Sequence, residues 1–295
     1  MALPKLLERL SPSTSPRPVA PALVTPPPAW QRAAQTFATR AADKLQSTDA
    51  FRHGGYLRDR GFSHETIVSL GLGYASEPAV FERSVLGLPD TRHVSAVGPT
   101  RLEFHAGIVM PVRVDGALMG VMSRRTSLDT VTCPNCRGLR FGPGRCRCGS
   151  SLPRYLVAVG SRPALYPLDQ LRDQETCLLV GDPLTAALVS QHGADLKTTA
   201  LGWTGDRAPT ADDLAPYVPA LSRVKLFLAL ETDSTAAKLA EAIAQLLPTR
   251  IETARLPGVL HAENVPGWNV REIDIFGWLA REILRVGPED PKARA

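Results

Sequence analysis

Apolar residues along this chain follow two rhythms. Near the N-terminus, Trp30, Ala33, Phe37 and Ala41 recur at helical spacing while Arg40 and Lys44 lie on another stripe, which predicts an amphipathic helix through Leu45. Tyr56 to Arg60 continues as helix, and Ser63 caps a further helix through Ile67 and Leu70 that ends at Gly71. Residues 76–101 carry turn signals at Pro78, Gly87-Leu88-Pro89 and Gly98-Pro99 and read as loop with short irregular elements. The rhythm then changes. Ile108 to Val112 and Leu118 to Met122 flank Asp115-Gly116, and Asp-Gly between β-prone runs predicts a hairpin. Its second strand exits into Ser123-Arg124-Arg125.

From Cys177 short apolar runs alternate with helical patterns. Cys177 to Val180 ends at Gly181-Asp182-Pro183, and a helix with Leu184, Ala187 and Leu188 closes at Gly193. Val224 to Leu230 ends in Glu231-Thr232-Asp233, and a helix from Ser234 carries Leu239, Ile243, Leu246 and Leu247 before Pro248. This alternation predicts a parallel sheet covered on both faces by helices, with ligands at the carboxyl ends of its strands. Asp182, Glu231 and Asp233 fall at such ends. Acids gathered there repel one another unless a cation lies between them, which suits Mg²⁺ or Mn²⁺ and a phosphoryl-bearing substrate. Asp182 also stands before Pro183, where its carboxylate serves equally as a helix cap. A last helical stripe of Ile273, Phe276, Leu279 and Ile283 packs back on the sheet.

Between hairpin and sheet lie Cys133-Pro134-Asn135-Cys136 and Cys146-Arg147-Cys148-Gly149, the pairs separated by nine residues. Cys133, Cys136, Cys146 and Cys148 on tight turns supply a closed tetrahedral set, which suits a structural Zn²⁺. So short a segment cannot bury a core, and the metal would supply its folding energy. Arg137, Arg140, Arg145 and Arg147 surround these cysteines, with Phe141 interleaved and no acid between Cys133 and Cys148. Cations around an aromatic suit single-stranded nucleic acid; the alternative is a charged, solvated knuckle. Cys177, alone at a strand start, reads as a small core residue.

Composition narrows the class. The chain has 295 residues, 44% hydrophobic, with a net charge of +5. It is mildly basic, which permits a polynucleotide partner. No apolar run reaches membrane-span length and the N-terminus lacks a signal-peptide pattern, so a cytoplasmic location is expected, with the cysteines as thiols or metal ligands.

Val180-Gly181-Asp182-Pro183 and Glu231-Thr232-Asp233-Ser234-Thr235-Ala236 resemble the acidic motifs of a TOPRIM domain, the metal-binding module of DnaG-type primases, topoisomerases and some nucleases. Gly181 stands where that pattern has Glu, Glu231 and Ala236 where it has Asp and Gly, and His261-Ala262-Glu263-Asn264 lacks the Asp pair of a third motif. Tyr56 to Ile67 with Leu70-Gly71-Leu72-Gly73-Tyr74, the hairpin with Arg124 and Arg125, and Arg154-Tyr155-Leu156 through Leu165-Tyr166 resemble a DnaG-type primase catalytic core of the plasmid, phage or mobile-element kind. The resemblance implies Arg124, Arg125 and Arg154 as contacts for template or triphosphate, and primer synthesis on single-stranded DNA.

The expected organisation is a Pro-rich leader over 1–29, a mixed α+β subdomain over 30–128 and a zinc knuckle over 129–152. An α/β TOPRIM-type doubly wound, mostly parallel sheet follows over 153–260, then a helix and tail over 261–295. No nucleotide-binding loop of the helicase type occurs in the sequence, so a replicative helicase is an expected partner. The altered acidic positions also fit a catalytically silent, primase-derived accessory protein that binds single-stranded DNA. A TOPRIM nuclease would need the same acids.

Overall fold

The stripe that begins at Trp30 becomes helix α1 (Pro28–Leu45) in a computed structural model that describes residues 22–47, 51–89, 101–133, 135–230, 234–254 and 274–286. Pro28 opens the helix, where its missing N–H costs nothing. The buried face comprises Trp30, Ala34, Phe37, Ala38, Ala41 and Leu45. Helices α2 (Phe51–Asp59) and α3 (His64–Ser69) follow. Ser63 Oγ accepts the Thr66 N–H at 3.1 Å, the cap its sequence position predicts. Contacts divide the chain into one unit of Val24–Ala164 with Thr204–Asp206, and a second that includes Leu165–Trp203 and the chain from Arg207 onward.

Strands of the first unit are β1 (Gly73–Ala75), β2 (Ala79–Glu82), β3 (Arg101–Phe104), β4 (Gly107–Val114), β5 (Ala117–Arg124), β6 (Thr130–Thr132), β7 (Leu139–Phe141), β8 (Gly144–Arg145), β9 (Ser151–Leu152) and β10 (Tyr155–Val157). Its main sheet runs β1-β4-β5-β10, antiparallel throughout. Asp115 and Gly116, at φ 50° and 78°, make the β4–β5 turn with both residues left-handed. Gly73 lets β1 lie against α1, since a Cβ there would come within 2.4 Å of the Ala41 backbone. Pairing of β10 with β5 carries this unit to Ala164, past the boundary expected at residue 153.

Not all of 76–101 is loop. Ala79 to Glu82 pairs with Arg101 to Phe104. Ala79 and Phe81 turn toward the core while Val80 and Glu82 face outward, a period-two pattern too short to stand out among the flanking turns. Phe104 is fully buried and gathers Trp30, Phe37 and Phe81 at centroid distances of 5.5, 5.4 and 5.1 Å. Trp30 keeps its indole N–H bonded to Val159 O at 2.8 Å. Edge-to-face and tilted rings add to the area term of such a core.

The second unit contains β11 (Leu165–Tyr166), β12 (Thr176–Val180), α4 (Pro183–Gly193), β13 (Thr198–Trp203), α5 (Ala211–Leu214), α6 (Val218–Leu221), β14 (Leu226–Leu230), α7 (Ser234–Leu246), β15 (Arg250–Ala254) and α8 (Ile275–Val286). Its sheet order is β11-β13-β12-β14-β15, parallel except for β11 at one edge. Strands β12 and β13 are buried along their whole length, as a sheet covered on both faces requires. Cys177 is a fully buried core residue, and burial pushes its thiol up.

Sequence periodicity misses β13, because Thr198-Thr199-Ala200-Leu201-Gly202-Trp203 is not an apolar run. Its polar groups are satisfied instead: Ser190 Oγ of α4 lies 2.8 Å from Thr199 Oγ1 and accepts the Ala200 N–H at 2.9 Å. Helix α8 buries Ile275, Trp278, Leu279 and Glu282, while Phe276 stays 43% exposed. Of the expected stripe Ile273 lies outside the described residues, Leu279 is buried, and Phe276 gives way to the larger Trp278. Glu282 is held by Arg285, which also donates to Thr253 O at 2.6 Å.

Phe104→Ala empties the centre of the aromatic cluster. It is expected to cost about 3–5 kcal/mol of unfolding free energy, read from the urea midpoint of the full chain. A change below about 1 kcal/mol would show that Phe104 is not the centre of this core.

Candidate metal centre and nucleic-acid interface

After β5 the chain makes two short ribbons, β6–β7 and β8–β9. Each carries cysteines on its turn. The Cys133 N–H donates to Gly138 O at 2.9 Å and the Cys146 N–H to Ser150 O at 2.8 Å. Arg137 and Gly149 take left-handed φ of 58° and 88°. These turns bring the sulfurs of Cys133, Cys136, Cys146 and Cys148 within 4.8 Å of one another. Cys133–Cys148 and Cys136–Cys146 are 3.6 and 3.5 Å apart. Four thiolates around a tetrahedral ion of zinc size, at bonds of about 2.3 Å, stand about 3.8 Å apart, so the set fits. Cys133 and Cys146 are buried with Val131 and Leu152, the whole apolar content of this small cluster.

The local field prepares the thiolates. N–H groups of Cys136 and Asn135 at the Cys133 sulfur outweigh burial and hold that thiol down to about 6. The Ser150 hydroxyl and N–H lower Cys148. At Cys136 the Gly138 N–H pulls down, but the sulfurs of Cys146, Cys148 and Cys133 prevail and push it up to about 11. Sulfurs this close cannot all be anionic without a cation among them.

The root of the knuckle is fixed by Asp129. Its carboxylate meets His53 Nε2 at 3.2 Å and accepts the Thr126 N–H at 2.5 Å and hydroxyl at 2.9 Å. The Asp129 carbonyl accepts the Gly142 N–H at 2.8 Å. His53 in turn stacks on Tyr74, with centroids 3.6 Å apart. Burial raises the Asp129 pKa, but the bonds from His53 and Thr126 outweigh it and hold it below the usual carboxylate range. Sequence reasoning gave this pair no role; nothing in the spacing of residues 53 and 129 announces it.

Arg137, Arg145 and Arg147 are exposed on the knuckle; the side chain of Arg140 lies outside the described residues. Arg124 is not presented to solvent as a strand-end cation. It is 3% exposed, with its guanidinium over the rings of Tyr56 and Tyr155 at 5.4 and 5.7 Å. It donates to both tyrosine hydroxyls, to Tyr155 at 3.1 Å. Arg125 is half-buried, and burial lowers its pKa against the pull of Asp129 and Glu103. Its N–H donates to Arg154 O at 2.8 Å, so Arg125 and Arg154 leave neighbouring strands side by side. His105 lies beside them at 3.6 Å from Glu103, with its pKa lowered by burial.

In the second unit, β12 and β14 are parallel neighbours, with Leu179 opposite Ala229. The chain therefore leaves Val180 and Leu230 at one edge of the sheet. Asp182 lies there and caps α4, accepting the Thr185 N–H at 2.9 Å. Glu231 and Asp233, like the third-motif segment 261–264, lie outside the described residues.

No protein-family profile matches the sequence, and no curated protein matches it. Solved structures do match the fold. The E. coli primase catalytic core is 19% identical with a TM-score of 0.51, over 90% of this chain and 88% of that one. The DnaG primase catalytic domain bound to single-stranded DNA is 18% identical with a TM-score of 0.50, over 90% and 89%. The RNA polymerase domain of Mycobacterium tuberculosis primase DnaG is 17% identical with a TM-score of 0.52, over 90% and 95%. The chain thus has the mixed α/β fold of DnaG catalytic cores, with a four-cysteine cluster placed to bind a metal ion. No described helix is long and apolar enough to cross a membrane.

Protein purified without chelator is expected to contain about one tightly held metal ion per chain, and Cys133→Ser to lose it. Removing the metal should collapse amide-exchange protection across residues 130–152 and leave that of β12 and β14 intact. Metal content near zero in the wild type would refute the site. The folded pKa of Asp129 lies below its unfolded value of about 3.9, so the stability it contributes is complete above about pH 5 and is lost as pH falls through the folded value. Asp129→Asn is expected to flatten the acid side of the stability–pH curve; unchanged curvature below about pH 5 would show that the His53–Asp129 contact is not formed.

Proposed function

We propose that this protein is a primase-like TOPRIM enzyme that makes primers on single-stranded DNA. The observation that supports the reading most is the parallel pairing of β12 and β14 within a DnaG-core fold. It sets the ends of β12 and β14, Val180 and Leu230, at one edge of the sheet, where Asp182 also lies. In the reaction a 3′-hydroxyl oxygen bonds to the α-phosphorus of a nucleoside triphosphate as the bond to pyrophosphate breaks, and the hydroxyl proton is released. Glu231 and Asp233 would hold Mg²⁺ or Mn²⁺, with Asp182 as a third ligand; the bound ion supplies neutralisation of the phosphate charge. Arg125 and Arg154 take phosphates of template or triphosphate. Arg124, enclosed by its tyrosines, fixes the strand end from which Arg125 emerges. The knuckle ion is Zn²⁺, structural because every ligand position is a cysteine. A replicative helicase would open the duplex.

One observation favours a second reading, a catalytically silent accessory protein that binds single-stranded DNA for a phage or mobile element. Gly181 stands where the TOPRIM pattern has its acid, and the neighbouring Asp182 carboxylate is occupied as a helix cap.

Incubation with single-stranded template, nucleoside triphosphates and Mg²⁺ or Mn²⁺ separates the two. Extended product from wild type, reduced to background by Asp233→Ala, is the expected result. No product from either, with salt-dependent binding of the template retained, would replace the enzyme with the accessory protein.

A further inference from the structure

The β6–β7 ribbon has two different faces. Val131 turns inward to the cysteines and Leu152. Strand pairing sets Thr130 opposite Phe141 and Thr132 opposite Leu139, and alternation puts these four residues on the other face. All four are exposed. Leu139 and Phe141 are 72% and 78% exposed, and among the described large apolar side chains only Leu284 is more so. A module that needs a metal to fold has no apolar surface to spare, yet it turns an aromatic ring and a leucine to water.

After Asp129, which is engaged by His53 and Thr126, the charge along this segment has one sign. From Thr130 to Leu168 the sequence contains no Asp or Glu, and carries Arg137, Arg140, Arg145, Arg147, Arg154 and Arg162. Arg137 lies in the β6–β7 turn, and Arg145 follows Phe141 across Gly142-Pro143-Gly144. The apolar part comprises just Leu139 and Phe141, far below the roughly 800 Å² per partner of a stable protein interface. A nucleobase needs only one ring face to stack, and its phosphates need cations nearby.

We infer that the outward face of the β6–β7 ribbon is a base-stacking platform for single-stranded DNA. Phe141 carries a base and Leu139 covers its neighbour. Arg137, Arg145 and Arg147 take the phosphates, and the hydroxyls of Thr130 and Thr132 are placed for base edges. The inference rests on the reading of the chain as a single-stranded DNA binder and assigns the residues that stack.

The test is fluorescence anisotropy of a labelled oligothymidylate titrated with the full, metal-loaded chain at several salt concentrations. Phe141→Ala is expected to weaken binding about 5- to 150-fold while metal content and the salt slope stay as in wild type. Phe141→Trp should restore affinity and show indole quenching on binding. Replacing Arg145 and Arg147 by Ala should instead lower the slope of log K against log salt by roughly 0.7 per lost phosphate contact. If the wild type binds no oligonucleotide, the underlying reading fails. If it binds and Phe141→Ala binds equally well with its metal in place, the platform is overturned and the underlying reading stands. A Phe141→Ala variant with unchanged affinity but altered sedimentation would give this face to a protein contact and equally overturn the platform.

Discussion

The antiparallel pairing of β4 with β5 is the constraint on which the first unit depends. Asp115 and Gly116 close it with a turn that only left-handed residues allow. Its register then decides everything laid against it. Val109, Leu118 and Val121 join the cluster around Phe104. At the far end the same pairing delivers Arg124 to its tyrosines, and β10 returns beside it with Arg154. A slip of one residue would turn the core side chains to water and the arginines out of place together.

Much of this fold is legible in the sequence because its signals are local. Asp-Gly between β-prone runs gives the hairpin, Ser63 and Gly71 bound α3, and the apolar runs before Gly181 and Glu231 give β12 and β14. What escapes is what depends on partners distant in sequence. Strand β13 hides because its buried threonines are satisfied, Thr199 by Ser190 of α4 and Thr198 by the Leu196 carbonyl. Strand β2 is legible only once Phe104 is known to need cover. The stripe of α8 is set by the bulk of Trp278 and by the Glu282–Arg285 pair, not by the best apolar count along the helix.

The site divides in the same way. The cysteine pairs are a strong signal because metal geometry constrains spacing so tightly that four residues suffice to announce it. Arginines are a weak signal, since the same residue serves as solvated surface, phosphate contact or buried strut. Arg124 proves a strut between Tyr56 and Tyr155, whereas Arg145 and Arg147 remain at the surface. Asp182 keeps both readings of the sequence in play: it stands at the sheet edge where β12 and β14 end, and it caps a helix.

The knuckle leaves the main sheet after Arg124 and re-enters it at Tyr155, and these two residues are register partners on adjacent strands. The excursion therefore begins and ends at one spot, like an oversized turn of a hairpin. Nothing in the pairing of β5 with β10 requires any particular length between them. Such a junction is a natural docking point for genetic insertion: a lineage could acquire, exchange or shed this cassette without re-registering a single strand, and so re-tool what the scaffold touches while its framework stays the same.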